Sequence, residues 1–103
     1  MTKKEVSEQF AKLTKFGYKV INFNSYKAMP TQMKNFVDHL IFNKKYFIAV
    51  EVKIGKDELS EGQKDTAEKL SSVMAINKTF YYFNIKTLPE AKNLCDKILG
   101  NKL

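Results

Sequence analysis

Apolar positions along the chain alternate between two periods, and the changes of period mark its elements. Val6, Phe10 and Leu13 recur at helical spacing and predict a helix over Thr2–Phe16 that stops at Gly17. Tyr18–Ser25 alternates like a strand, with Val20 opposed to Ile21 and Phe23. The segment Tyr26–Lys34 is polar, contains Pro30 and reads as a loop, either an ordinary connection or a contact loop for DNA or a second subunit. Within it Met29 and Met33 are core filler or interface residues. Asn35–Phe42 and Tyr46–Ile54 are apolar, aromatic and β-branched runs, and the intervening Asn43-Lys44-Lys45 is short enough for a hairpin. Ser60 to about Met74 repeats at i, i+3, i+4, with Gln63, Thr66, Ala67, Leu70, Val73 and Met74 on the inward stripe. Lys78–Ile85 carries Phe80 and Tyr82 on one side and Tyr81 and Phe83 on the other, which predicts a strand buried in the middle of a sheet. Thr87-Leu88-Pro89-Glu90 reads as a capping box with proline in the first turn. It opens a last helix with a stripe of Leu88, Ala91, Leu94 or Cys95, and Ile98, ended by Gly100. The predicted order is α-β-β-β-α-β-α, an α/β fold with a mixed sheet flanked by helices. Tyr18–Ser25 should pair with the Asn35–Phe42 strand, and the Ser60–Met74 helix would be the crossover that lets the last strand lie parallel to the Glu51 strand.

The hairpin gives the pattern chemical content. Side chains alternate along a strand, so Glu51 and Lys53 point the same way while Ile48, Val50, Val52 and Ile54 point the other. A simple register about Lys44 sets positions summing to roughly 88 or 89 opposite each other, which brings Asp38 near Val50 and Glu51. Two carboxylates that close repel unless a proton or a cation neutralises them. Oxygen ligands with room for water suit Mg²⁺, with Mn²⁺ as a substitute. A lysine beside such an ion orients attacking water and stabilises charge on a phosphate, so Asp38, Glu51 and Lys53 together form what metal-assisted phosphodiester cleavage needs.

Composition narrows the partner. The chain has 103 residues and no second domain, repeat or low-complexity tract, so one domain over 1–103 is expected. Lys and Arg total 18, all of them lysine, against 11 acids, for a formal charge of +7. That excess favours a polyanion through counterion release, although lysine is also the common solubilising residue. Without arginine there is no bidentate fork for guanine, so phosphate contacts and DNA shape are expected rather than sequence readout. Lys27, Lys34 and Lys56 are the candidate DNA contacts. Cys95 is alone, which excludes an internal disulfide and a cysteine zinc cluster. His39, also single, points away from the face of Asp38 and reads as a structural or surface side chain rather than a ligand. No apolar run approaches a membrane span, and a cytoplasmic protein is expected.

Val37-Asp38, then Glu51-Val52-Lys53 after a thirteen-residue step, resembles the P-D…(D/E)-x-K signature of the restriction-endonuclease-like nuclease superfamily. With Leu59-Ser60-Glu61-Gly62-Gln63 just beyond, the chain from about Glu5 to about Ile85 is similar to archaeal-type Holliday-junction resolvases and stand-alone VRR-NUC domains. Val37 stands where the motif has proline, a position that is not a ligand. The resemblance implies the αβββαβ core plus a C-terminal helix, with Asp38, Glu51 and the Val52 carbonyl as metal ligands and Lys53 as the residue assisting water attack. It implies a Gln63 that supports the site, although Ser60-x-x-Gln63 also reads as a capping box. It further implies an acid on the first helix near the metal. Glu5 flanks the apolar face and is preferred to Glu8, yet Thr2-x-x-Glu5 is itself a capping box. The implied activity is Mg²⁺-dependent, structure-selective DNA cleavage by a homodimer. A catalytically silent DNA-binding module of the same fold and a sequence-specific restriction-type nuclease are the alternatives.

Overall fold

Capping and backbone hydrogen bonding fix the element boundaries in the computed structural model, which describes residues 2–23 and 35–103. The first helix, α1, spans Lys3–Ala11 and tightens into a 3-10 stretch over Lys12–Phe16. Gly17 closes it at φ +88°, a left-handed backbone that glycine adopts without a Cβ penalty. Strands β1 (Lys19–Asn22), β2 (His39–Phe42) and β3 (Phe47–Val52) follow, then α2 (Glu61–Ile76), β4 (Phe80–Ile85) and α3 (Leu88–Leu99). The order of elements is the one the apolar pattern predicts. At α3 the expected box is half formed: Thr87 accepts from the Glu90 N–H and donates its hydroxyl to the Glu90 carboxylate. The side chain that should return to the backbone is thus held by the cap itself.

The sheet is four-stranded and mixed, in the order β1-β2-β3-β4. β1 pairs β2 and β2 pairs β3 antiparallel, while β3 and β4 run parallel across α2. The expectation that the aromatic strand is central is therefore corrected: β4 lies at an edge. Apolar side chains on both its faces fit an edge strand here because α2 and α3 both pack against it. The Tyr82 N–H, which an edge strand would leave open, donates to Met74 Sδ at 3.4 Å, so α2 also shields part of the edge.

The main core lies between the sheet and the pair α1 and α3. Val6, Phe10, Leu13, Ile41, Ile48, Val50, Val52, Ile85, Ala91, Leu94 and Ile98 form one buried cluster. Each large aliphatic or aromatic side chain taken fully out of water contributes about 1.5–3 kcal/mol relative to exposure. Val6, Phe10 and Leu13 of the first stripe and Ala91 and Ile98 of the last are buried, Leu94 and Cys95 both go in, and Leu88 is half-buried. By contrast α2 has no fully buried residue, and Val73, expected to face inward, is 40% exposed, with Ile76 82% exposed beyond it. Among the described residues no helix is long and apolar enough to cross a membrane.

Directly paired residues share a face, so the side of the sheet away from α1 and α3 reads as rows. At one end Lys19, Phe42, Phe47 and Phe80 lie level across the strands. Their three rings stack, with centroids 5.2 Å apart from Phe42 to Phe47 and 6.0 Å from Phe47 to Phe80. Ile21, Leu40, Ala49 and Tyr82 form the next row. Beyond it the register brings Asp38, Glu51 and Asn84 level with one another.

Candidate metal centre

β2 is shorter than the predicted Asn35–Phe42 run, and Asp38 supplies the reason. His39 pairs with Val50 and Ile41 with Ile48, so a continued ladder would set the Val52 N–H against Val37. Instead the Asp38 carboxylate turns back and accepts that N–H on Oδ2 at 2.8 Å. The side chain replaces a backbone partner and ends the strand. On its other side the Asp38 carbonyl accepts the Phe23 N–H at 2.8 Å, which keeps the residue in the sheet and fixes its position.

Glu51 lies on β3, 3% exposed, on the face away from the main core. Burial pushes its carboxyl up to about 8, and a hydrogen bond and the charge of Asp38 push the same way, against smaller opposing effects of Lys53 and Lys3. A hydrogen bond between two carboxyl groups requires a proton on one of them. The other oxygen, Oε1, is buried without a hydrogen-bond partner. Lys53 continues the line of β3, its N–H donating to the Ile85 carbonyl at 2.9 Å, and its half-buried side chain shares the side of Glu51 by alternation. Asp38 and Glu51 thus lie level as the hairpin register anticipates, with Lys53 on the same side.

Two neighbours come from outside that set. Lys3, at the start of α1, brings its ammonium to 3.7 Å from Asp38 Oδ2. Tyr82 sits one row away, and its hydroxyl is pushed up to about 12, chiefly by burial and further by the charges of Glu51 and Asp38. On the opposite face His39 is 1% exposed, with Nε2 3.0 Å from Ser7 Oγ and its ring edge-on to Phe10 at 5.1 Å. That is the structural placement expected of it.

The helix residues sit in caps. Gln63 Oε1 accepts the Ser60 N–H at 3.0 Å while Ser60 Oγ accepts the Gln63 N–H at 3.2 Å. Glu5 does the same for Thr2, accepting its N–H at 3.0 Å, and is exposed, as is Glu8. The α1 side chain that meets Asp38 is Lys3. Lys56 is exposed in the turn after β3, and Lys27, Lys34, Met29 and Met33 lie outside the described residues.

The donor set fits a hard cation: two carboxylates held side by side, one with a buried oxygen lacking a donor. Among the described residues no group of three or more His, Cys, Asp or Glu gathers, so further ligands would come from other oxygens or from water. Neither a family model, a curated protein nor a solved structure matches the chain.

Proposed function

We propose that the protein is a Mg²⁺-dependent, structure-selective DNA endonuclease built on a restriction-endonuclease-like core. The observation that carries this reading is the buried pair Asp38 and Glu51, level on neighbouring strands, with Lys53 beside it. A buried acid pair is costly unless a proton or an ion resides there, and it stands at the end of a parallel strand pair. Asp38, Glu51 and the Val52 carbonyl would hold Mg²⁺ or Mn²⁺. When bound, such an ion supplies Lewis acidity toward a phosphate oxygen and toward water.

The chain's own groups do the rest. The Val52 N–H holds the Asp38 carboxylate in one orientation, so the ligand needs no reordering. Lys53 places an ammonium where it offsets charge developing on a phosphate and orients a water for in-line attack. Glu51, whose affinity for a proton extends to about 8, gives up that proton when a cation takes its place. The charge of +7 supplies attraction to phosphate without reading sequence. A homodimer is proposed on the side of α2, where Val73 and Ile76 leave apolar surface open. The alternative of a silent DNA-binding module needs none of the acid pairing, which disfavours it.

The test is cleavage of end-labelled four-way junction, flap and plain duplex DNA with Mg²⁺ or Mn²⁺, using wild type beside Glu51→Ala and Lys53→Ala. Nicking of the branched substrates that disappears in both variants is the expected result. Tight binding with no cutting by wild type would favour the silent module.

A further inference from the structure

We infer that Asn84 belongs to the cation site, its side-chain carbonyl serving as an oxygen ligand beside Asp38 and Glu51; this rests on the reading of that pair as a cation site. Asn84 is paired with Glu51 in the parallel β3–β4 ladder. Paired residues on neighbouring strands project to the same face from backbones about 4.8 Å apart. Asn84 is therefore the β4 residue level with Glu51, on the side that Asp38 also faces.

Its chemistry is the second observation. Asn84 Oδ1 is buried and has no hydrogen-bond partner, and the same is true of Glu51 Oε1. Buried acceptors are nearly always satisfied, because an oxygen removed from water without a donor is costly. Here two are left on adjacent strands of one face. Two acceptors cannot satisfy each other. A cation satisfies both, and amide carbonyls are ordinary ligands of hard cations alongside carboxylates. An amide adds an oxygen without adding a third negative charge, which suits a pair already burdened by its own repulsion.

Of the two tyrosines that are the other polar residues of β4, the one on this face follows the same logic. Tyr82, on the same face one row back, is a donor and acceptor that burial keeps neutral. It brings no charge to the site.

A ligand role has a signature that a structural role lacks. Removing the amide takes away an unsatisfied buried oxygen from the metal-free protein, so the fold should not suffer, whereas cation affinity should. Mn²⁺ binding to the full chain would be measured by calorimetry at pH 8.5, with metal-free melting recorded beside it, for wild type, Asn84→Ala, Asn84→Asp and Glu51→Gln. The expected result is saturable binding by wild type, about tenfold weaker or more in Asn84→Ala with a metal-free Tm no lower than wild type. Asn84→Asp should bind at least as tightly as wild type, with a larger Mn²⁺-induced rise in Tm. Mn²⁺ affinity in Asn84→Ala within twofold of wild type, or a lowered metal-free Tm with unchanged affinity, would overturn the assignment of Asn84 alone. If Asn84→Ala does not fold, Asn84→Asp decides: weaker binding than wild type rejects the assignment. Wild type that binds no Mn²⁺, or that binds as Glu51→Gln does, overturns the reading of the carboxylate pair and this inference with it.

Discussion

Lys3 and Asp38 meet ammonium to carboxylate at 3.7 Å, so the first turn of α1 supplies a positive charge to the acid pair. That charge competes with any cation the pair would hold. The lysine side chain is 41% exposed, and a bridge of this kind is worth about 0–1 kcal/mol to the fold. Lys3→Met should therefore leave the metal-free Tm almost unchanged and tighten Mn²⁺ binding several-fold. Calorimetric titration at a pH above 8 checks it, and unchanged or weaker binding would show that Lys3 does not act on the site.

Glu51 should make metal-free stability fall as the solution becomes alkaline. Its folded value of about 8 lies above the ordinary 4.5, so the folded state binds the proton more tightly. The stabilisation is fully present below 4.5 and is lost as pH rises through 8, with a slope of at most about 1.4 kcal/mol per unit. Mn²⁺ replaces the proton, so its affinity should rise up to about tenfold per unit and level off above 8. Melting curves across this range, with and without Mn²⁺, give the measurement. Glu51→Gln should flatten both dependences.

His39 acts at the acid end with the opposite sign. Burial lowers it from 6.5 to about 4, against a smaller upward pull from Asp38, so the fold prefers the neutral ring. Stability should fall as pH drops from 6.5 through 4, and acid titration of wild type against His39→Gln should reveal the difference. Between 4.5 and 6.5 the His39 and Glu51 dependences oppose each other, so stability there should be nearly level.

Gln63 can be separated into its two candidate roles. The cap needs a side-chain acceptor at that position, which glutamate also supplies. Gln63→Glu should keep the Tm near wild type, while Gln63→Ala should cost about 0.5–1 kcal/mol. Thermal melting together with a cleavage assay reads both. If cutting is lost in Gln63→Glu despite an intact fold, the amide has a duty beyond the helix end.

Much of this was legible in the sequence because it depends on local periodicity. The helices, the hairpin and the closeness of Asp38 to Glu51 follow from spacing and alternation. The place of β4 at an edge does not. β4 has apolar side chains on both faces whether it is central or at an edge, since helices cover it either way. The same limit hid Lys3, which reads as one solvated lysine among many until the topology brings the start of α1 beside β2. Asn84 left a fainter trace: it is the lone amide in the run Phe80-Tyr81-Tyr82-Phe83-Asn84-Ile85. A polar residue inside such a strand marks a place that packing alone did not choose.

The stacked rings of Phe42, Phe47 and Phe80 lie at the end of the sheet away from the acids, yet they bear on them. Slippage of β3 by a single residue would turn every side chain over and send Glu51 into the main core, away from Asp38. Such an error would also tear the rings out of line, so the aromatic row acts as an index pin for the whole hairpin. It lets the opposite end carry two mutually repelling groups without the strands shifting to escape them. The spacing of the acids is thereby guarded by three rings that never touch them.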